Sequence, residues 1–225
     1  MAESNWTLFA SGLSSSLVRR GVTDGQTPPS GGGSFVYGAH WAQPDVGAIG
    51  LYCNEVDFAP MAKGGSIRAT MKRVAGVTGT PFLFIGLQGA DVANEGYLVG
   101  MAHDESPAHI VIRKGAPSGG LSQALSVAQS ADAYTVSTWL HLRLDMIQQP
   151  AGDVLLKVYE SDLALHAVTS PVWTEVDGLG SVNDDALGIN LGSVPYLGGY
   201  LGFGFYGLSV GHYGLIDHVE AFRQT

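Results

Sequence analysis

The chain has 225 residues, 45% hydrophobic and only 14% charged, with 32 glycines. That much apolar material argues against a disordered chain, and the length is within the range of one all-β sandwich. Eleven Lys and Arg against 20 Asp and Glu leave a formal charge of −9 with no basic run longer than Arg19-Arg20 or Lys72-Arg73, which argues against a nucleic-acid partner.

Cys53 is the only cysteine, so stability must come from packing, and Cys53 reads as a small buried apolar residue. Met1 to Asn5 lacks the basic start and apolar core of a secretory signal, and no window approaches about 18 uninterrupted apolar residues. These features predict synthesis in a cytoplasm without export, and no membrane partner.

In chain order, Trp6-Thr7-Leu8-Phe9-Ala10 is a short strand candidate, followed by polar Ser14 to Ser16. Thr27-Pro28-Pro29-Ser30-Gly31-Gly32-Gly33 continues neither a helix nor a central strand. Residues 1–33 are therefore expected to form an arm or edge segment, laid on the body or on a neighbouring subunit, and residues 34–225 the main domain. Ser66 to Lys72 alternates with period two, placing Ile67, Ala69 and Met71 on one face and Arg68, Thr70 and Lys72 on the other. Phe82-Leu83-Phe84-Ile85 reads as a strand buried on both faces. Tyr97 to Met101 and His109 to Arg113 flank the turn residues Asp104-Glu105-Ser106-Pro107.

Only Leu121 to Ala131 suits a short helix, and its small residues suit a covering loop equally. Trp139 to Met146 is the clearest strand, with Leu140, Leu142, Leu144 and Met146 on one face and Trp139, His141, Arg143 and Asp145 on the other. Pro150 to Asp153 turns it into a second alternating run, Asp153 to Tyr159, which predicts a long hairpin with a semi-polar outer face. Tyr200 to Phe205 sets Leu201, Phe203 and Phe205 opposite glycines, and Leu215 to Arg223 closes the chain as a strand. Many strands with almost no helix between them predict an all-β, two-sheet antiparallel sandwich.

Three motifs suggest chemistry. Gly202-Phe203-Gly204-Phe205-Tyr206-Gly207 has the GxGxxG spacing of a dinucleotide site, but that site needs a helix after the glycines, and here they alternate inside an aromatic strand. Gly207-Leu208-Ser209-Val210-Gly211 has the GxSxG spacing of a hydrolase elbow. Asp217 and His218 follow it on one strand, where successive side chains point to opposite faces, so no triad is expected. Glu55-Val56-Asp57 is close to the acidic strand of retaining glycosidases, yet Ala59 and Pro60 stand where a second catalytic acid is needed. No catalytic residue is assigned.

Seven histidines form neither an HExxH pattern nor a cluster with cysteine, which gives no support to zinc. Asn183-Asp184-Asp185 offers the carboxylates a calcium ion requires, Asp184 and Asp185 being the ligand candidates; an acidic turn facing water accounts for them too. Trp41, Tyr196 and Tyr213 are candidates for stacking on sugar rings, with core packing or contact with another chain as the alternative.

Ser66 to Thr70, Gly96 to Gly100, Thr138 to Asp145 and the closing Leu201-Gly202-Phe203-Gly204 with Ile216-Asp217-His218-Val219 resemble concanavalin A-like and laminin G-like jelly rolls from about Gly33 onward. Thr27 to Gly38, with His141 to Asp145 and Gly152-Asp153-Val154, is similar to virion proteins of tailed phages. The first resemblance implies a jelly roll of a class that includes lectins, glycosidases and structural modules. The second implies a non-enzymatic structural protein of a phage particle, located in the virion, whose partners are other virion proteins and copies of itself. The alternative is a lectin-like adhesin for host surface polysaccharide, and a glycoside hydrolase ranks third.

Overall fold

The computed structural model describes residues 6–10, 15–20, 36–41, 47–53, 64–74, 80–91, 93–102, 107–119, 125–162, 171–185, 194–207 and 214–223. The strands are β1 (Trp6–Ala10), β2 (Ser15–Arg20), β3 (Val36–Trp41), β4 (Gly47–Cys53), β5 (Gly64–Arg73), β6 (Thr80–Leu87), β7 (Gly96–Met101) and β8 (Ala108–Gly115). They continue with β9 (Leu125–Tyr134), β10 (Leu140–Gln148), β11 (Val154–Glu160), β12 (Thr174–Glu175), β13 (Val182–Asp184), β14 (Tyr200–Gly207) and β15 (Gly214–Arg223). The only helical turn among the described residues is a 3-10 turn at Pro117–Gly119.

Two antiparallel sheets result. One has seven strands in the order β1-β4-β14-β6-β7-β8-β9; the other has eight, β12-β11-β10-β5-β15-β3-β2, with β13 pairing β11. Chain neighbours such as β14 and β15 belong to different sheets, as a jelly roll requires. The expected arm contributes strands to both sheets: β1 pairs β4, and β2 pairs β3. Trp6 meets Phe203 edge-on at 5.5 Å, which ties the first strand to the core.

The core follows the alternation of the strands. Ile67, Ala69 and Met71 of β5, Leu140, Leu142, Leu144 and Met146 of β10, and Val154, Leu156 and Val158 of β11 point inward from the eight-stranded sheet. They meet Leu83 and Ile85, Tyr97 and Val99, Ile110 and Ile112, and Leu201, Phe203 and Phe205 from the seven-stranded sheet. Cys53 is buried in the same cluster. The opposite face of the seven-stranded sheet carries a second closed cluster, with Phe82, Phe84, Leu98, Val111 and Tyr206 all at 0–1% exposure. β6 is accordingly buried along its whole length. Gly204 and Gly202 stand directly across from Phe82 and Phe84, so the glycines of the GxGxxG run leave room beside large rings in a strand.

The β10–β11 hairpin forms with the expected register, Leu144 opposite Val158, and Gly152 takes φ +90° in its turn, a conformation a side chain resists. One expectation is overturned: residues 125–134 are strand β9. The open edge of β8 offers its backbone groups a continuous antiparallel partner, and that pairing outweighs the weak helical propensity of a run of small residues.

Candidate functional site

The strands that bury Ile67 and Leu142 must present their alternate residues on the outer face of the eight-stranded sheet. Register then aligns those residues into rows. Glu220, Arg68, Arg143, Tyr159 and Glu175 lie side by side across β15, β5, β10, β11 and β12. The adjacent row is Phe222, Ser66, Asp145 and Lys157, and on the other side lie Asp217, Thr70 and His141.

A bulge in β15 makes this alignment. Asp217 and Glu220 are three positions apart, while their partners Thr70 and Arg68 are two apart, so β15 carries one extra residue there. Without it, Asp217 and Glu220 would point to opposite faces. His218 within the bulge has φ +52°, a left-handed conformation uncommon outside glycine. Its Nε2 lies 3.0 Å from Glu220 Oε1.

Two ion pairs occupy the centre. Arg143 donates from Nε to Asp145 Oδ1 at 2.7 Å and from Nη2 to Oδ2 at 2.5 Å, a bidentate fork. Ser66 donates its hydroxyl to the same Asp145 Oδ1 at 2.5 Å. These hydrogen bonds to Asp145 hold the Arg143 guanidinium above its ordinary pKa, against the opposing effect of burial. Arg68 donates from Nε to Glu220 Oε2 at 2.7 Å and reaches the same oxygen from Nη2. Beside them, Thr70 Oγ1 and His141 Nδ1 are 2.9 Å apart. Thr70, His141 and Asp145 are buried although they face outward, so this face is recessed around them.

Aromatic rings frame the pairs. The Arg68 guanidinium lies 4.8 Å from the Phe222 ring centre and 6.0 Å from that of Trp173. Arg143 lies 5.1 Å from the Tyr159 ring and 6.0 Å from the same Trp173. A single indole thus borders both cations. Beside Arg143 is a cavity of about 300 Å³ lined by Ser66, Asp145, Ile147 and Phe222 among others. Phe222 is 41% exposed, so its ring presents an apolar surface at this cavity.

The site candidates chosen from sequence fall elsewhere. The Tyr196 amide donates to Tyr97 Oη at 3.0 Å, Tyr97 donates to Asp184, and the Tyr196 hydroxyl donates to Glu95. Tyr196 and Asp184 are therefore brought together, through Tyr97, at one end of the sandwich. Lys114 completes the group, 2.7 Å from Asp184 Oδ2. Asp184 Oδ1 is buried without a hydrogen-bond partner, and Asp185 follows it half-buried. Among the described residues no three His, Cys, Asp or Glu side chains gather to hold a metal ion. Trp41 ends strand β3, but its side chain, all of Tyr213, Glu55 and Asp57, and Leu208 to Gly211 of the GxSxG run lie outside the described residues.

Alternation had placed Arg68, Arg143 and Asp145 on outward faces, but Trp173, Tyr159, Glu220 and Phe222 carried no signal as site residues. Arg68 and Glu220 are 152 residues apart in sequence, and only the paired strands bring them into contact.

No family model matches the chain, and no curated protein sequence matches it. Solved structures do. The carbohydrate binding module CBM66 from Bacillus subtilis superposes with a TM-score of 0.53 at 12% identity, covering 97% of this chain and 95% of that one. The potassium-bound carbohydrate recognition domain of Emp46p gives a TM-score of 0.51 at 12% identity, over 99% and 90% of the two chains. That of Emp47p gives 0.51 at 11% identity, over 98% and 89%. The fold is a lectin-like, concanavalin A-like jelly roll. At such identities the likeness is one of fold, and it extends over nearly the whole chain.

Proposed function

We propose that this protein is a carbohydrate-binding, lectin-like domain that takes its ligand on the outer face of the eight-stranded sheet and does not alter it. The observation that carries this reading is Trp173 bordering both Arg68 and Arg143, with a recess on the other side of the pairs' row lined by Arg143, Ser66, Asp145 and Phe222. A sugar ring has an apolar C–H face and a rim of hydroxyls. Aromatic plates flanked by pre-oriented donors and acceptors match both.

The similar structures that are themselves described as carbohydrate-binding modules or recognition domains support the same reading. Asp145 and Glu220 are each held by an arginine as ion-paired acceptors, a state suited to orienting a ligand rather than to donating a proton. Placement on a phage particle, as an adhesin for host surface polysaccharide, rests on the sequence resemblance alone; the similar structures reported above add nothing to it.

The test is a glycan array followed by titration of the hits with the protein and its Trp173→Ala and Phe222→Ala variants. Binding that falls by about tenfold or more in each variant, roughly 1.4 kcal/mol, with an unchanged urea midpoint supports the face as the site. An array with no hit, or hits indifferent to both substitutions, sinks the proposal.

A further inference from the structure

Arg68 and Arg143 are direct cross-strand neighbours, an arrangement in which like charges repel. Each engages a carboxylate through Nε and Nη2 only: Arg68 binds Glu220, its neighbour in the row on β15, and Arg143 binds Asp145 on its own strand. Nη1 of each guanidinium has no acceptor among the described residues, although arginine carries five N–H donors in a fixed plane. The side chains are 18% and 33% exposed, so these donors are partly withdrawn from water. Two adjacent cations therefore hold unspent donors beside the same indole.

We propose that the ligand of this face is an anionic glycan, whose carboxylate or sulfate group is received between Arg68 and Arg143 while its sugar ring lies against Trp173. This rests on the carbohydrate-binding reading and adds the charge of the ligand. The N–H donors of a guanidinium match the planar pair of oxygens of a carboxylate and any two oxygens of a tetrahedral sulfate, and an anion placed between Arg68 and Arg143 accepts from both. A hydroxyl offers these donors one oxygen, whereas a carboxylate or sulfate offers an oxygen to each guanidinium and carries the charge that strengthens both hydrogen bonds. The chain as a whole carries −9, so general attraction of polyanions is not available, and affinity for an anion must come from this local site. Ser66 and the recess beside Arg143 leave room for the neighbouring sugar unit.

The experiment compares matched probes on the full chain: dextran against dextran sulfate, and polygalacturonate against its carboxyl-reduced form. Expected is binding of at least one anionic member at about tenfold or more higher affinity than its neutral counterpart, weakening as salt rises from about 50 to 300 mM. Which of the two anionic probes binds separates sulfate from carboxylate recognition. Arg143→Lys and Arg68→Lys, which keep the charge but lose the fork, are expected to lower that affinity several-fold with an unchanged urea midpoint. The double variant Arg143→Gln/Asp145→Asn removes one pair without leaving a lone buried charge and is expected to lower it further. Equal, salt-insensitive binding of the neutral and anionic members overturns the anionic inference and leaves the carbohydrate-binding reading standing. Absence of binding by every probe and every array glycan overturns both.

Discussion

Lys114 and Asp184 join the two sheets through an ion pair of 2.7 Å whose side chains are 2% and 0% exposed. Lys114 belongs to β8 of the seven-stranded sheet, and Asp184 ends β13, which pairs with β11 of the other. Tyr97 donates a further hydrogen bond to the carboxylate, and Lys114 donates to the Val194 carbonyl at 3.0 Å. Neither charge has water to fall back on, so the cost of separating them is large.

Removing one partner strands the other. Lys114→Met is expected to lower unfolding stability by about 3–5 kcal/mol, because it leaves a buried carboxylate uncompensated. The double variant Lys114→Met/Asp184→Leu should recover much of that loss. Urea denaturation of the two proteins decides the matter; equal losses would show that packing rather than charge dominates here.

Alkaline pH reaches the same group through Tyr97. Burial first, and the hydrogen bond to Asp184 second, push its phenol well above the ordinary value near 10. A folded-state pKa above the unfolded one means that the protonated form is favoured in the fold. The corresponding stability is complete below about pH 10 and is lost as pH rises from there through the folded value. Urea midpoints measured from about pH 8 to 11 should therefore fall at the alkaline end, and less steeply in Tyr97→Phe. An identical slope in the variant would exclude Tyr97 as the responsible group.

Close backbone approach predicts a glycine-specific position. A Cβ on Gly50 of β4 would lie 2.2 Å from the Phe203 carbonyl oxygen and 2.6 Å from the Gly204 Cα on β14. Backbone cannot swing aside as a side chain can. Gly50→Ala is expected to cost about 1–3 kcal/mol, read as a lower urea or thermal midpoint. An unchanged midpoint would mean that the β4–β14 spacing is looser than these contacts require.

Much of the fold is legible in the sequence. The alternation of Ile67, Ala69 and Met71, of Leu140 to Met146, and of Leu201, Phe203 and Phe205 assigned inner faces that the core uses. Alternation is a local property: the pleat sends neighbouring side chains to opposite sides, and the hydrophobic effect selects the side that is buried. Strand β9 was missed because its small residues bury little, and its conformation comes from the edge of β8 rather than from its own pattern.

The candidate site was legible only in fragments. The outward positions of Arg68, Arg143 and Asp145 follow from period two, whereas Tyr196, an aromatic expected in a loop, spends its hydroxyl and amide on Glu95 and Tyr97. The bulge at His218 shifts the facing of every later residue of β15, and simple alternation through Asp217 would have sent Glu220 to the other side.

Taken alone, the amino-acid sequence determined that this chain builds two antiparallel sheets around an aliphatic and aromatic core, because strand period and apolar content act over a few neighbouring residues. Only the tertiary structure decided that Arg68 and Arg143 stand side by side, that Glu220 and Asp145 hold them, and that Trp173 borders both. Those relations depend on strand order and register across as many as 152 residues, and backbone pairing on that scale leaves no periodic trace in the sequence.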